Sequence, residues 1–199
     1  MGAESHTPDI ILASASPRRA TLLTQIGLPF RICPSALGED GEAALDHETP
    51  EACATRLALA KAKDVAARLG QGLIIGADTV VTCRGRILGK PRNEEEARGF
   101  LLTLAGQTHR VVTGVAVVDA GSGRTESDVA VTAVTMRPFG MQEAQRYVAT
   151  GEPLDKAGAY GIQGRGALLV DRIRGDYFNV VGLPLTLLAT LLRRFGVDP

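Results

Sequence analysis

The chain has 199 residues, and its 22 lysines and arginines balance 22 aspartates and glutamates, so the formal net charge is zero. This balance argues against a nucleic-acid surface or a charged tail. The three cysteines are widely spaced without a CxxC motif, which argues against a disulfide framework or a zinc site.

Strands and helices alternate along the chain. In order, the sequence predicts a strand at 10–12, a helix at 17–26, a short strand at 30–34, a helix at 50–69, a strand at 73–82, a helix at 94–105, strands at 110–119 and 128–136, a helix at 141–149, a strand at 167–173 and a helix at 184–195. Residues 35–49 and 150–166 are predicted loops, the first acidic and the second rich in glycine. Thr132 and Thr135 indicate that the strand at 128–136 is less buried than its neighbours.

This alternation is typical of an α/β protein with one mixed sheet and helices around it. The length suits a single domain spanning residues 1–199. Residues 1–9 are polar, and no apolar run is long enough for a signal peptide or for the ~20 residues of a membrane span. We therefore expect a cytoplasmic protein, with neither a membrane nor a nucleic acid as partner.

The start of the first predicted helix carries an anion-binding pattern, Ser14-Ala15-Ser16-Pro17-Arg18-Arg19. Ser16 is a suitable N-cap and Pro17 suits the first helical position. Two arginines next to the positive end of a helix dipole are unfavourable unless an anion such as phosphate binds there. The alternative is a capped helix whose arginines reach solvent or a carboxylate.

Asp78 interrupts a strand that is otherwise apolar. A carboxylate at such a place is costly unless it is paired, hydrogen-bonded or bound to metal, so Asp78 is a candidate general base or metal ligand. The alternative is an aspartate that hydrogen-bonds a neighbouring turn. Lys61 lies in the middle of an apolar helix row, and either points into a cleft or extends its stem towards solvent.

Three loops add further candidates. Lys90 follows Gly89 in a loop, where a solvated lysine is the default. Glu39 and Asp40 could hold a divalent cation or serve solubility. The glycine-rich loop carries Gln163, whose amide both donates and accepts and so suits the edge of a nucleobase. No dinucleotide-binding fingerprint and no phosphate-binding P-loop occurs in the sequence.

Taken together, these segments resemble the Maf family of nucleoside triphosphate pyrophosphatases over nearly the whole chain. The family's segments occur here in order as Ser14–Arg19, Gly76–Thr79, Gly89–Arg92, Asp155–Gly164 and Asn179–Pro184. The Asp155–Gln163 segment resembles the branch that acts on dTTP and UTP. The branch that prefers 7-methyl-GTP carries a glutamate near the position of Gln163.

The resemblance implies an α/β fold with a mixed, central twisted sheet flanked by helices, and with the substrate in a cleft between two lobes. It also implies hydrolysis of dTTP and UTP between the α and β phosphates, to a monophosphate and pyrophosphate, as a house-cleaning activity on the nucleotide pool. A divalent metal, Mg²⁺ or Mn²⁺, is the implied cofactor. A homodimer is possible.

The resemblance also assigns roles by position. Asp78 would be the proton acceptor that activates the attacking water and a ligand of the metal. Glu39 matches an acidic position near that metal, in a loop that departs from the family's more acidic pattern. The family's specificity positions correspond to Arg18, Thr79 and Gln163. The residues expected around the triphosphate are Ser14, Ser16, Arg19, Lys61, Lys90 and Lys156.

Three alternatives remain open. The same chemistry could act on 7-methyl-GTP or on non-canonical purine triphosphates. The chain could instead be a non-enzymatic or dual-role regulator of septum formation and cell division, the association that gives the family its name. A sugar-nucleotide or dinucleotide binder would need a glycine-rich first turn between strand and helix, which this chain lacks.

Overall fold

The computed structural model describes residues 8–37 and 47–199. Within them the strands are β1 (Ile10–Leu12), β2 (Arg31–Ile32), β3 (Leu73–Cys83), β4 (Arg86–Leu88), β5 (Thr108–Asp119), β6 (Thr125–Met136) and β7 (Val170–Arg174). The helices are α1 (Pro17–Gln25), α2 (Pro50–Leu69), α3 (Glu94–Leu104), α4 (Met141–Val148), α5 (Tyr177–Val181) and α6 (Leu185–Arg193). Among these helices, none has both the length and the apolar character needed to cross a membrane.

All the predicted helices and strands are present, with shifted ends. The last predicted strand begins only at Val170, because residues 165–169 form a 3₁₀ turn. Two further 3₁₀ turns, at 152–155 and 157–159, lie in the predicted glycine-rich loop. Helix α5 was not predicted. Strand β6 is less buried than β3 and β5, as Thr132 and Thr135 indicated, although Thr132 itself is fully buried with its hydroxyl bonded to Asp176.

The strands form one mixed sheet in the order β2-β1-β3-β5-β6-β7, with β4 also paired to β3. Strands β2 and β3 both run parallel to β1, whereas the other pairings are antiparallel. This architecture confirms the predicted α/β fold with a mixed central sheet flanked by helices.

Helix α2 packs very closely on one face of the sheet. A Cβ atom at Gly76 of β3 would lie 2.1 Å from the Ala58 carbonyl oxygen, and one at Gly114 of β5 would lie 2.3 Å from that of Ala54. Glycine is therefore required at both positions, because any side chain there would push the helix away. The same face of the sheet buries Ile74 and the small residues of α2 in one cluster.

The opposite face of the sheet carries two apolar clusters. One joins β1, β3 and β5 to leucines of α1 and α6, including Leu23 and Leu188. The other joins β5 and β6 to α3 and α4, around Leu101 and Met136. Burial of these side chains stabilises the packing of the helices on the sheet, since a fully buried leucine contributes roughly 1.5–3 kcal/mol.

One edge of β3 has a gap between its neighbours. Strand β1 ends at Leu12, and the last bond on that side runs from the Ala13 N–H to the Ile75 carbonyl, 2.8 Å. Strand β4 pairs with β3 only from Val81 onwards. Between Ile75 and Val81, the described part of the chain places no strand against this edge.

Candidate active site

A cleft of about 1150 Å³ opens at the gap in the sheet. Asp78 and Thr79 both line it, although successive residues of a strand point to opposite faces. Both side chains reach the same cleft because it lies at the strand edge, where the two faces meet. Its other walls are residues 13–19, part of the loop at 152–164 and residues 180–182.

At the base of the cleft, Lys61 donates a hydrogen bond from Nζ to Asp78 Oδ1, 2.6 Å. The two side chains are only 13% and 11% exposed. Lys61 can approach β3 this closely because α2 packs directly on Gly76. Of the two alternatives for Lys61, the structure therefore shows the one in which it points into the cleft. Of those for Asp78, it shows the paired carboxylate. The two side chains form an ion pair at the base of the cleft.

The start of α1 forms one wall. Ser14 is buried, and its Oγ accepts hydrogen bonds from the Ser16 N–H, 3.2 Å, and from an Arg19 terminal nitrogen, 3.1 Å. Both bonds use lone pairs of Ser14, so its own proton is what it can offer to a ligand oxygen. Ser16 is the N-cap and Pro17 the first residue of α1, as predicted, and within the described residues the Ser16 side chain makes no capping bond. This wall of the cleft therefore presents hydrogen-bond donors to a ligand.

Arg18 bridges the two sides of the cleft. Its terminal nitrogen lies 2.9 Å from Asp155 Oδ2, on the 152–155 turn. Lys156 Nζ lies 2.6 Å from Asp155 Oδ1 and 2.6 Å from the Glu152 carbonyl oxygen. Burial raises the pKa of Asp155, but the hydrogen bonds from Lys156 and Arg18 outweigh this and lower it overall. The carboxylate thus holds Arg18, a predicted specificity residue, beside Lys156, a predicted phosphate-binding residue.

Glu152 organises the loop that carries Gln163, and sequence reasoning missed it. Its carboxylate accepts the Tyr147 hydroxyl at 2.8 Å and the backbone N–H groups of Arg165 and Gly166 at 2.9 and 3.2 Å. Burial raises its pKa, yet these three donors lower it further than burial raises it. The turn is fixed around Gln163, which is exposed on the cleft wall.

The buried pair His109 and Tyr160 attaches this loop to β5. His109 Nε2 lies 2.8 Å from the Tyr160 hydroxyl, and burial lowers the pKa of His109 from 6.5 to about 4. Because the unfolded chain binds this proton more readily, the unfolding free energy should fall as the pH drops from about 6.5 to about 4. The loss attributable to His109 should reach about 3 kcal/mol.

Urea denaturation across this pH range would measure the effect. In His109→Gln, the unfolding free energy should fall by about 3 kcal/mol less over this pH range than in the wild-type protein, since glutamine hydrogen-bonds without titrating. His47→Gln provides the control, because His47 is exposed. An identical pH dependence in the wild-type protein and His109→Gln would contradict the prediction.

The remaining predicted residues are placed as follows. Lys90 is exposed in the loop after β4 and lines the cleft. Glu39, the predicted second metal ligand, lies outside the described residues. Within the described ranges, no group of three or more histidine, cysteine, aspartate or glutamate side chains is arranged to hold a metal ion. Of the two predicted metal ligands, Asp78 is the one that lies in the described part of the chain, and it lines the cleft.

Sequence comparison identifies the family. The profile described as Maf-like protein matches residues 9–195. The chain belongs to the Maf family.

Two relatives match almost end to end. The dTTP/UTP pyrophosphatase of Moorella thermoacetica is 57% identical over 189 residues, which cover 95% of this chain and 96% of that protein. The dTTP/UTP pyrophosphatase of Dehalococcoides mccartyi is 47% identical over 197 residues, 98% of this chain and 86% of that protein. The family profile spans every residue that lines the cleft of this Maf protein.

The structure of the Staphylococcus aureus Ham1 protein shares the fold. It superimposes with a TM-score of 0.50 at 13% identity, covering 94% of this chain and 99% of that one. This likeness concerns the fold of the Maf chain alone.

All five segments that carry the Maf resemblance contribute to the lining of the cleft. They come from distant parts of the chain, and the sheet gap is where they meet. Polar residues support them either at the cleft surface, as Glu152 does, or from behind it, as the buried Thr113 does. Nothing in their local sequence distinguishes them from ordinary surface or strand residues, which is why the sequence did not reveal them.

Proposed function

We propose that this protein hydrolyses dTTP and UTP to the nucleoside monophosphate and pyrophosphate. The observation that carries the proposal is the pairing of Asp78 with Lys61 at the base of a cleft whose walls carry further cations. Membership of the Maf family and the names of the two relatives support it. Charge neutralisation is what phosphoanhydride cleavage chiefly requires, and the cleft supplies it.

In this proposal the Asp78 carboxylate accepts a proton from the water that attacks the α phosphorus. Lys61 holds that carboxylate in place through its 2.6 Å bond. Ser14 and Arg19 bind the phosphate chain from the α1 wall, because one offers a hydroxyl proton and the other a guanidinium. Arg18 from the same wall and Lys156 from the opposite side neutralise further charge, at the point where both now contact Asp155.

A divalent metal, Mg²⁺ or Mn²⁺, fits this donor set. Asp78 is a hard oxygen donor, and Mg²⁺ commonly binds through one or two carboxylates together with substrate phosphates. Asp78 would hold it, and Glu39 is the predicted second ligand. When bound, the metal would supply Lewis-acid polarisation of the phosphate oxygens.

Gln163 is proposed to select the base. Its amide would face the O4 and N3–H edge of thymine or uracil, where it can both donate and accept. We expect Gln163→Glu to reduce dTTP and UTP turnover at least tenfold, since a carboxylate cannot donate to O4. Initial rates over a panel of nucleotides would measure it. Unchanged relative rates over that panel would eliminate Gln163 as the base-selecting residue.

The decisive experiment for the function is pyrophosphate release from canonical, modified pyrimidine, 7-methyl-GTP and deaminated purine triphosphates, with and without Mg²⁺ or Mn²⁺. We expect dTTP and UTP to be the best substrates and the metal to be required. Absence of pyrophosphate release from every triphosphate would overturn the proposed function. A preference for 7-methyl-GTP would overturn the proposed substrate.

A further inference from the structure

A closed circuit of hydrogen bonds holds the Arg19 guanidinium on the cleft wall. Arg19 donates from Nε to the Gly182 carbonyl, 2.8 Å, and from a terminal nitrogen to Thr79 Oγ1, 3.2 Å. The Gly182 N–H donates to the Asn179 carbonyl, 3.1 Å. Thr113 Oγ1 completes the circuit, 2.9 Å from Thr79 Oγ1 and 3.1 Å from the Asn179 carbonyl oxygen.

The direction of each bond follows from counting protons. Arg19 can only donate, the Asn179 carbonyl can only accept, and each threonine hydroxyl has one proton. The Thr113 proton must point to Asn179, because otherwise two acceptor oxygens would face each other at 3.1 Å. The Thr79 proton must then point to Thr113. The three bonds from Arg19 through Thr79 and Thr113 to the Asn179 carbonyl therefore run in one direction, so that each polarises the next.

Burial makes this arrangement rigid. Thr113 is 0% exposed, and it lies directly opposite Thr79 in the register of β5 and β3. Asn179 is also 0% exposed, and its side chain is fixed by bonds to the Val111 carbonyl and to Thr132 Oγ1. Because water does not compete at Thr113, the Thr79 hydroxyl is not free to rotate.

We propose that Thr113 is a positioning residue of the triphosphate site. Thr113 Oγ1 accepts the hydroxyl proton of Thr79, so the lone pairs of Thr79 Oγ1 remain for Arg19 and for a ligand in the cleft. The guanidinium is thereby held flat against the wall by acceptors at both ends. The consequence for phosphate binding rests on the proposed function, because it requires that Arg19 contacts the phosphate chain.

Thr113→Val tests this role with almost no change of shape. Without the Thr113 oxygen, the Thr79 proton can turn towards Arg19 or the cleft, where it opposes a cation. We expect kcat/KM for dTTP to fall about tenfold, the scale of one bond lost from a buried network. Thr113→Ser should restore the rate, because it returns the hydroxyl.

A double-mutant cycle separates positioning from general damage. If Thr113 acts through Thr79, the double variant Thr79→Val/Thr113→Val should be no slower than Thr79→Val alone. Additive losses, or an unchanged kcat/KM in Thr113→Val, would overturn the proposal.

Thr108→Val is the control. Thr108 lies on the same strand as Thr113, and its hydroxyl also lies 2.9 Å from that of a threonine directly opposite, Thr135, but neither residue lines the cleft or takes part in the circuit. We expect unchanged kcat/KM below the unfolding transition. An equal loss of kcat/KM in Thr108→Val and Thr113→Val would show that the effect is not specific, and would overturn the proposal.

Neutron diffraction from the deuterated, unliganded protein tests the proton assignment without any substrate. A deuteron on Thr79 Oγ1 that points to Thr113 supports the inference, and a deuteron on Thr113 that points to Thr79 overturns it. If the wild-type protein released no pyrophosphate from any triphosphate, the proposed function would fail while this result would still decide the assignment.

Discussion

Asp78→Asn should lower kcat for dTTP by about 10²–10⁴-fold, the range for loss of a general base. An amide cannot accept the proton of the attacking water, and it also removes negative charge from the proposed metal position. The amide oxygen can still accept the bond from Lys61, so the chain should fold. Pyrophosphate release at saturating dTTP, measured below the Tm of the variant, gives the comparison.

Asp171→Asn is the control for this substitution. Asp171 lies on β7, its side chain is 54% exposed, and its ion pair is with the adjacent Arg172. It should keep the wild-type kcat. If Asp78→Asn also kept the wild-type kcat, another group would have to accept the proton, and the proposed mechanism would be wrong.

Gly76→Ala should have the largest effect on stability. The new methyl group would lie 2.1 Å from the Ala58 carbonyl oxygen and 2.9 Å from Ala62 Cβ, so α2 has to move away from β3. Overpacking of this kind costs about 3 kcal/mol, which corresponds to a fall in Tm of roughly 6–12 °C for a chain of this size. The same displacement should separate Lys61 from Asp78, so kcat should fall as well.

Thermal and urea unfolding would measure the change, with Gly99→Ala as the matched control. Gly99 lies in the exposed middle of α3, and a Cβ atom there would meet no atom within 4 Å. Alanine at this position should stabilise the protein by about 0.5–1 kcal/mol, because it favours the helix. Wild-type stability in Gly76→Ala would show that α2 does not require this close approach.

The fold was largely predictable, because local signals mark its elements. Thr49 and Gly70 bound α2 as predicted, with the Thr49 side chain accepting from the Ala52 N–H and Gly70 in the left-handed conformation. The apolar run of β3 identified a buried strand, and Asp78 was conspicuous within it. In contrast, α5 is five residues long, too short to show a helical period.

The supporting part of the site could not be predicted, because it depends on register. Thr79 and Thr113 meet only because β3 and β5 pair with these two residues opposite each other. Glu152 is important because three donors from distant residues converge on it. Lys156 was predicted from family position to bind phosphate, and the structure adds that its ammonium already has two oxygen partners. Such relations are properties of the tertiary structure.

The gap beside β3 also matters for aggregation, because it leaves part of a strand edge without a neighbouring strand. The Leu73 N–H and the Ile75 carbonyl point to β1, so the backbone groups of the alternate residues Ala77 and Thr79 face the gap. An unpaired strand edge on a surface can recruit a strand of another chain and start aggregation. Here the edge lies inside a cleft whose rim is charged on both sides, by Arg18 and Lys156 among others. The site can therefore stay open to small nucleotides while an approaching polypeptide meets a charged, non-complementary entrance.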